Sequence, residues 1–422
     1  MQDTFGFRDP LSMTQQRRKI LLLDNGKEWG GGTNSMLELL KRIDRQRFDI
    51  TCCFYYNYAR GEGETIERVL GNIGIPVIFL PQTGQPLWAK IIKETARTLV
   101  FFSRPARRKV AEIIDKQWRI NPNAKRIREL LQRDDYEILY MNNQPGSNLE
   151  GYLAADNLDI AVVQHCRIEP VMNTAITRIV NRIAQAIIAV SHGVESVLVK
   201  NGVQKSLCTT VSNAIDIHQV MPDGKALRAS LGLDDSTFVF GSIGSLIPRK
   251  SSHHTLEALQ RFAEVHPDAK WKFILVGEGP EREKLQRQAK EYGFADRIIF
   301  TGFRNNPLDY LAAFDAFILA SSSEGLPRVV LESMLLKTVV IGSNVTGTGE
   351  LIDSGRTGLL YSYGDTVALA AHLQTVWQDS ALRDFLTQQA HQRVIDNYAI
   401  EHYVAGVEAV LGAVKPIRNK HV

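Results

Sequence analysis

KILLLDNGKEWGGGTNSMLELLKRIDRQRFDITCCFYY, residues 19–56, decides the fold class. KILLLDN is a short, nearly continuous apolar run, the pattern of a strand covered on both faces. WGGGTN (29–34) reads as a glycine loop, SMLELLKRI as a helix and FDITCCFYY (48–56) as the next strand. This β–loop–α–β order opens a parallel α/β sheet. More strands are expected at IPVIFLP, YEILYMN, DIAVVQH and AIIAVS. The pattern restarts at TFVFGSIGS (237–245) and runs through KWKFILVGEG (270–279), DRIIFTGF (296–303), AFDAFILAS (313–321) and TVVIGSN (338–344). Helical segments such as HHTLEALQRFAEV and GPEREKLQRQAKEYG separate these runs. Two successive α/β units follow, with a hinge expected near 200–216, where NGVQKSLCTTVSNAID breaks the pattern. The expected domains are 17–205, 206–395 and a C-terminal helical segment, 396–422. Residues 1–16 read as an irregular leader.

A chain of 422 residues exceeds one ordinary core. Its 44% apolar and 23% charged residues fit a soluble globular protein. No apolar run reaches the roughly 18–20 residues of a membrane-spanning helix, and the N-terminus lacks a basic-then-apolar export pattern. Cys52, Cys53, Cys166 and Cys208 form no CxxC pair, so neither a disulfide framework nor a zinc knuckle is expected. The expected location is the cytoplasm. The net charge of +4 hides an asymmetry: residues 90–133 hold 13 Lys/Arg against 4 Asp/Glu, the rest 37 against 42. Residues 87–133 read as a basic amphipathic insertion with Trp88, Phe101, Phe102 and Trp118 among its charges. Two readings stand, a solvated pair of helices or a face for an anionic surface. The block matches no nucleic-acid-binding module, and no nucleic acid is expected as a partner.

The second unit offers what a phosphate ligand needs: glycines for close approach, helix N-termini and committed cations. GSLIPRK (244–250) puts Arg249 and Lys250 just past an apolar strand, and VGEGPE (276–281) is a glycine turn entering a helix at Gly277. In SSSEGLPRVVLES (321–333), Pro327 suits the first turn of a helix starting around 327–329. Glu324 then lies in the loop at the C-terminal end of FILAS, where open α/β sheets bind ligands. Glu332 falls near the positive end of that helix. Helix-end electrostatics alone would also account for Glu332, and a surface loop charge for Glu324.

With these residues in hand, the chain resembles the retaining, nucleotide-sugar-dependent glycosyltransferases of family 4, which have the GT-B fold. The resemblance is collinear over roughly 19–395. It runs through WGGGTN, AVVQH, AVSHGVESVLVKNG, VSNAID, GSLIPRK, ILVGEGPEREKL, IIFTGF, FDAFILASSSEGLPRVVLES and GRTGLLYSYGD, with the E-x7-E motif on Glu324 and Glu332. It implies an α/β fold of two Rossmann-like, doubly wound parallel-sheet domains facing a cleft, with the C-terminal helix crossing back to the first domain. It implies transfer of a sugar from a UDP- or GDP-linked donor to a glycan or lipid-linked acceptor in bacterial envelope or exopolysaccharide assembly, without cofactor or metal.

The resemblance also assigns roles. Glu332 would accept hydrogen bonds from the ribose, and Glu324 would attend the transferred sugar and favour positive charge at its anomeric carbon. Lys250 and N–H groups around Gly325, Leu326, Pro327, Val329 and Val330 would stabilise the departing diphosphate. His165 would face the cleft and bond the donor sugar, although a packing role is the plainer reading of that residue alone. Gly30, Gly31, Gly32 and Thr33 would form the acceptor-side loop, or serve only as a strand-to-helix turn. Two positions depart from the family pattern. Ser245 stands where the family usually has an arginine, and Asn213–Ala214 replaces asparagine–glycine at the hinge. Arg249 could restore the missing charge, but strand-like alternation would send neighbouring side chains in different directions. From its charge rather than from the resemblance, the basic insertion would lie on the anionic inner face of a membrane. The competing expectations are a catalytically inactive binding subunit of the same fold, and a nucleotide-sugar epimerase or phosphorylase.

Overall fold

The computed structural model describes residues 17–26, 29–61, 63–84, 86–99 and 113–416. The expected leader, Phe101 and Phe102 of the insertion, and 417–422 of the C-terminal segment lie outside the described residues. The first domain carries β1 (Arg18–Asp24), β2 (Phe48–Phe54), a small hairpin β3 (Ala59–Arg60) and β4 (Glu64–Thr65), β5 (Val77–Phe79), β6 (Ile138–Met141), β7 (Ala161–Cys166), β8 (Ala186–Ala189) and β9 (Cys208–Thr210). Seven of them form a parallel sheet in the order β5-β2-β1-β6-β7-β8-β9. The second domain carries β10 (Phe238–Ile243), β11 (Trp271–Val276), β12 (Ile298–Gly302), β13 (Ala316–Leu319), β14 (Val339–Ser343) and β15 (Leu359–Tyr361), parallel in the order β12-β11-β10-β13-β14-β15. Both sheets are doubly wound. Their central strands are buried end to end, as in Ile20–Leu23, Ile138–Met141 and Ala316–Leu319, because helices cover both faces.

Each sheet has one point where strand order reverses, between β1 and β6 in the first and between β10 and β13 in the second. Loops leaving two adjacent strands in opposite directions open a crevice there, at the C-terminal edge, where such sheets bind ligands.

Three expectations shift. β9 is the seventh strand of the first sheet, so that domain passes the expected boundary at 205 and the crossover follows residue 210. β9 and β15 are three residues each and lack the longer apolar run, IPVIFLP, that surrounds the equally short β5, so neither stands out as a strand. The segment 29–34 is not all loop, because the helix Gly31–Arg42 begins on the glycines themselves. The helix Ser380–Asn397 stays with the second domain, its His391 Nδ1 bonded to Leu335 O at 2.7 Å. The chain then returns beside its first crossing, where Ile215 N donates to Tyr398 O at 3.0 Å. The helix Ile400–Ala413 packs Tyr403, Val404, Val407 and Leu411 against first-domain residues such as Ile20, Leu22 and Met36. Arg18 Nη1 donates to Leu411 O at 2.7 Å, so the C-terminal helix crosses back as expected.

Candidate functional site

The second sheet's reversal point brings together three loops that the sequence separates. The loop after β10 holds Gly244–Lys250, and the loop after β11 holds Gly277–Glu281. Their backbones touch: Leu246 N donates to Glu278 O at 2.8 Å and Glu281 N to Leu246 O at 3.0 Å. Gly277 makes this approach feasible, since its φ is +143° and a Cβ there would come 1.9 Å from Gly244 O. Ser245 is half-buried in this turn, and its carbonyl accepts from Ile247 N at 3.0 Å.

The loop after β13 carries Glu324, 7% exposed, and two cations converge on it. Lys250 Nζ lies 2.6 Å and Arg249 Nη1 3.1 Å from Glu324 Oε1. Arg249 Nη1 also donates to Ser323 O at 2.6 Å. The expectation that neighbours 249 and 250 would point apart is corrected. Pro248–Lys250 forms a 3-10 turn rather than extended chain, so alternation does not apply. Burial pushes the Glu324 pKa up, but Lys250 and then Arg249 more than offset this and hold it below the ordinary carboxylate value. Glu324 is therefore ionised at neutral pH.

The helix Arg328–Leu335 starts with Pro327 at its N-cap, which leaves first-turn N–H groups without intrahelical acceptors. Leu326, Pro327 and Val330 are buried, Val329 is half-buried, and Val330 N donates to Pro327 O at 3.1 Å. Glu332 lies one turn in, 3.4 Å from Arg328 Nη2, while Arg328 Nη1 reaches back to Ala214 O at 2.9 Å. Burial raises the Glu332 pKa above the ordinary value, Arg328 opposes this, and Glu38 adds to it. A carboxyl with a raised folded-state pKa contributes most stability below its unfolded value and loses it as pH rises through the folded value. Glu332→Gln, which keeps the neutral form, is expected to melt above wild type at pH 8 without ligand and to match it at pH 4. Thermal melts across that range check this; equal shifts at both ends would refute it.

Across the cleft, Gly30 and Gly31 border open space, and Gly32 lies against the Arg167 stem. Thr33 is buried, its Oγ1 3.5 Å from Tyr58 Oη. His165 does not line the cleft, and that expectation is corrected: it has no exposed surface. Its Nδ1 shares a 2.6 Å hydrogen bond with Tyr140 Oη, and its ring lies 6.1 Å from that of Tyr403 on the returning helix. Burial, then the Arg167 charge, push its pKa far below the ordinary value, so the ring is neutral. His165 is the fifth residue of the six in β7, one pleat inside the sheet. The residue just past the strand end is Arg167, 5% exposed, which sequence reasoning passed over. Counting two residues further along the strand would have found it.

The domains meet on the Glu324 loop itself. Ser191 Oγ donates to Gly325 O at 2.9 Å, and Asn213 Nδ2 to Leu326 O at 2.9 Å. Thr346 Oγ1 donates to Glu169 Oε2 at 2.7 Å. Glu350 accepts from His192 N at 3.1 Å and Gly193 N at 2.9 Å. Gly325 runs so close to the first domain that a Cβ would come 2.2 Å from Arg167 O.

Two family models match the two domains in turn: Glycosyltransferase Family 4 over residues 29–219 and Glycosyl transferases group 1 over residues 223–393. The chain is 30% identical over 174 residues to the lipopolysaccharide core biosynthesis glycosyltransferase LpsE of Rhizobium meliloti (strain 1021), covering 41% of this chain and 49% of that one. It is 26% identical over 303 residues to the N-acetyl-alpha-D-glucosaminyl L-malate synthase of Bacillus anthracis, covering 68% and 77%. The match thus spans about half the length of the first of these relatives and more of the second. Among solved structures, Anabaena Alr3699/HepE in complex with UDP and glucose superposes with a TM-score of 0.76 at 22% identity, covering 94% of this chain and 100% of that one. That likeness is one of fold.

Proposed function

We propose, since this chain belongs to the nucleotide-sugar-dependent glycosyltransferases of family 4 type with the GT-B fold, that it transfers a sugar from a nucleoside diphosphate to a glycan or lipid-linked acceptor with retention at the anomeric carbon. The observation that carries this reading is the convergence of Lys250 and Arg249 on ionised Glu324 at the strand-order reversal of the second sheet. As the bond from the anomeric carbon to the diphosphate breaks, positive charge grows on the sugar and negative charge on the leaving phosphate. A fixed carboxylate beside the first and fixed cations beside the second lower the barrier without reorganising at that moment. Lys250 and Arg249 supply this charge without a metal, and Arg249 offsets Ser245. The acceptor hydroxyl attacks from the side the diphosphate leaves, and its proton passes to the departing phosphate oxygen. Glu332, partly buried at the next helix, receives the ribose hydroxyls.

UDP is the favoured nucleotide, supported by the UDP in the Anabaena structure. Envelope polysaccharide assembly is the favoured setting, supported by the Rhizobium relative, a lipopolysaccharide core biosynthesis glycosyltransferase. Calorimetric titration with UDP, GDP and ADP tests the donor site. One nucleotide should bind wild type and bind Glu332→Ala and Lys250→Ala at least about tenfold more weakly, the loss of a hydrogen bond to a charged group. A folded wild type that binds none of them favours the inactive-subunit reading, which Ser245 motivates.

The acceptor side supports a membrane-surface reading. Among the described residues no helix is long and apolar enough to cross a membrane. The helix Leu87–Leu99 instead leaves Leu87, Trp88, Ile91 and Ile92 exposed, with Lys90 beside them. Trp88 packs edge-on against Trp118, with ring centroids 5.2 Å apart. Such a helix lies in the headgroup region, drawn by anionic lipid and anchored by apolar side chains. Vesicles of anionic lipid should co-sediment wild type at low salt, release it at high salt and fail to bind a Trp88→Glu, Ile91→Glu variant. Equal binding by that variant would sink this part of the reading.

A further inference from the structure

We propose that Arg167 contacts substrate, its free Nη2 donating to an oxygen of a sugar unit held between the two domains. This rests on the transferase reading above and adds a residue to it. Arg167 is 5% exposed and stands just past the end of β7. Asparagines from two other segments fix its guanidinium: Nε donates to Asn142 Oδ1 at 2.7 Å and Nη1 to Asn213 Oδ1 at 3.4 Å. The plane lies 5.7 Å from the Tyr403 ring centre. Nη2 is buried without any partner. Folded proteins rarely leave a buried donor unpaired, and one attached to a charge is costly to strand.

The surroundings say what would satisfy it. The nearest carboxylate in its network, Asp24, is one amide away, since Asn142 Nδ2 donates to Asp24 Oδ2 at 2.6 Å. The Arg167 charge is thus oriented but not directly neutralised. Its stem packs on Gly32, at the start of the first-domain helix, and its carbonyl packs on Gly325, next to Glu324. Arg167 therefore bridges the acceptor-side glycines and the loop of the ionised carboxylate. Asp24 and Asn142 belong to β1 and to the residue after β6, the strands that flank the reversal point of the first sheet. A ligand in both crevices passes this guanidinium, and the groups a sugar offers there are hydroxyl and ring oxygens, all acceptors.

Arg167→Gln and Arg167→Lys test this in the full-length protein, with UDP binding followed by calorimetry and sugar transfer by initial rates. Arg167→Gln is expected to lower transfer about 10²-fold, the scale for removing one fixed donor from a reacting centre, while UDP affinity stays within about threefold. Arg167→Lys, which keeps the charge and one donor, is expected to recover part of the rate. Slow hydrolysis of the sugar donor without acceptor identifies the partner. If hydrolysis falls with transfer, the contact is to the donor sugar. If hydrolysis holds and the acceptor KM rises, it is to the acceptor. Transfer unchanged in both variants overturns the proposal, and so does joint loss of UDP binding and cooperative melting in both, which would make Arg167 a strut. The transferase reading fails by a different result, a wild type that binds no nucleotide.

Discussion

Glu324→Gln is expected to lower sugar transfer about 10²–10³-fold while leaving the fold and nucleotide affinity close to wild type. The substitution keeps the size and hydrogen-bonding shape of the side chain and removes only its charge. That charge does two things. It holds Lys250 and Arg249 within 3.1 Å in the resting protein, and in the proposed reaction it lies beside a carbon that becomes cationic. The lowered Glu324 pKa gives a linked pH signature. A group whose folded pKa is depressed contributes stability above its unfolded value and loses it as pH falls through the folded one. Wild type should therefore lose stability, relative to Glu324→Gln, as the medium falls below the ordinary carboxylate range. The comparison sits opposite to that for Glu332, whose pKa is raised. Initial rates with donor and acceptor, alongside paired thermal melts at acid and neutral pH, check both parts. A Glu324→Gln enzyme with undiminished transfer would falsify the role of this carboxylate.

Gly325→Ala is the second change expected to have a large effect, and it acts through the domain interface. The added methyl would sit 2.2 Å from the backbone oxygen of Arg167, and Gly347 presses on the other side, where a Cβ would come 2.1 Å from Gly325 O. Backbone atoms cannot swing aside as a flexible side chain can, so the domains must part. The hydrogen bonds from Ser191 to Gly325 O and from Asn213 to Leu326 O would be lost, each about 1 kcal/mol. A shift of about 1 Å at the reacting centre costs about 10²-fold in rate, and a loss of at least that size is expected. Small-angle scattering should show a larger radius of gyration than wild type. Gly84→Ala, where a Cβ meets nothing within 4 Å, serves as the neutral control. If Gly325→Ala keeps both the wild-type radius and rate, the two domains do not need this contact to work.

Much of this architecture could be read from the chain. Strands covered on both faces leave apolar runs, and eleven of the thirteen strands in the two main sheets stand out from the sequence. Glu324 and Glu332 were legible from Pro327, which marks a helix start and so puts one acid in the loop and the other on the helix. Shorter elements were not legible. β9 and β15, three residues each, are made strands by their neighbours. The helix at Gly31 begins on residues that disfavour helix, and its remaining turns pack Met36, Leu37, Leu39 and Leu40 into the core.

His165 and Arg249 mark the limit more sharply. The sequence locates the strand that carries His165 but not where that strand stops relative to the returning helix. That stop decides whether residue 165 or residue 167 reaches the crevice. It likewise puts Arg249 beside Lys250 without revealing the 3-10 turn that swings both onto a carboxylate 74 positions beyond Lys250. Local hydrophobic pattern and turn chemistry act over a few residues, and by themselves they determined two doubly wound domains and the loops that leave them. Which side chains meet across the cleft, which is buried and neutral, and which guanidinium is left with a donor to offer were decided only when strand order and the crossing of the C-terminal helix brought distant segments together.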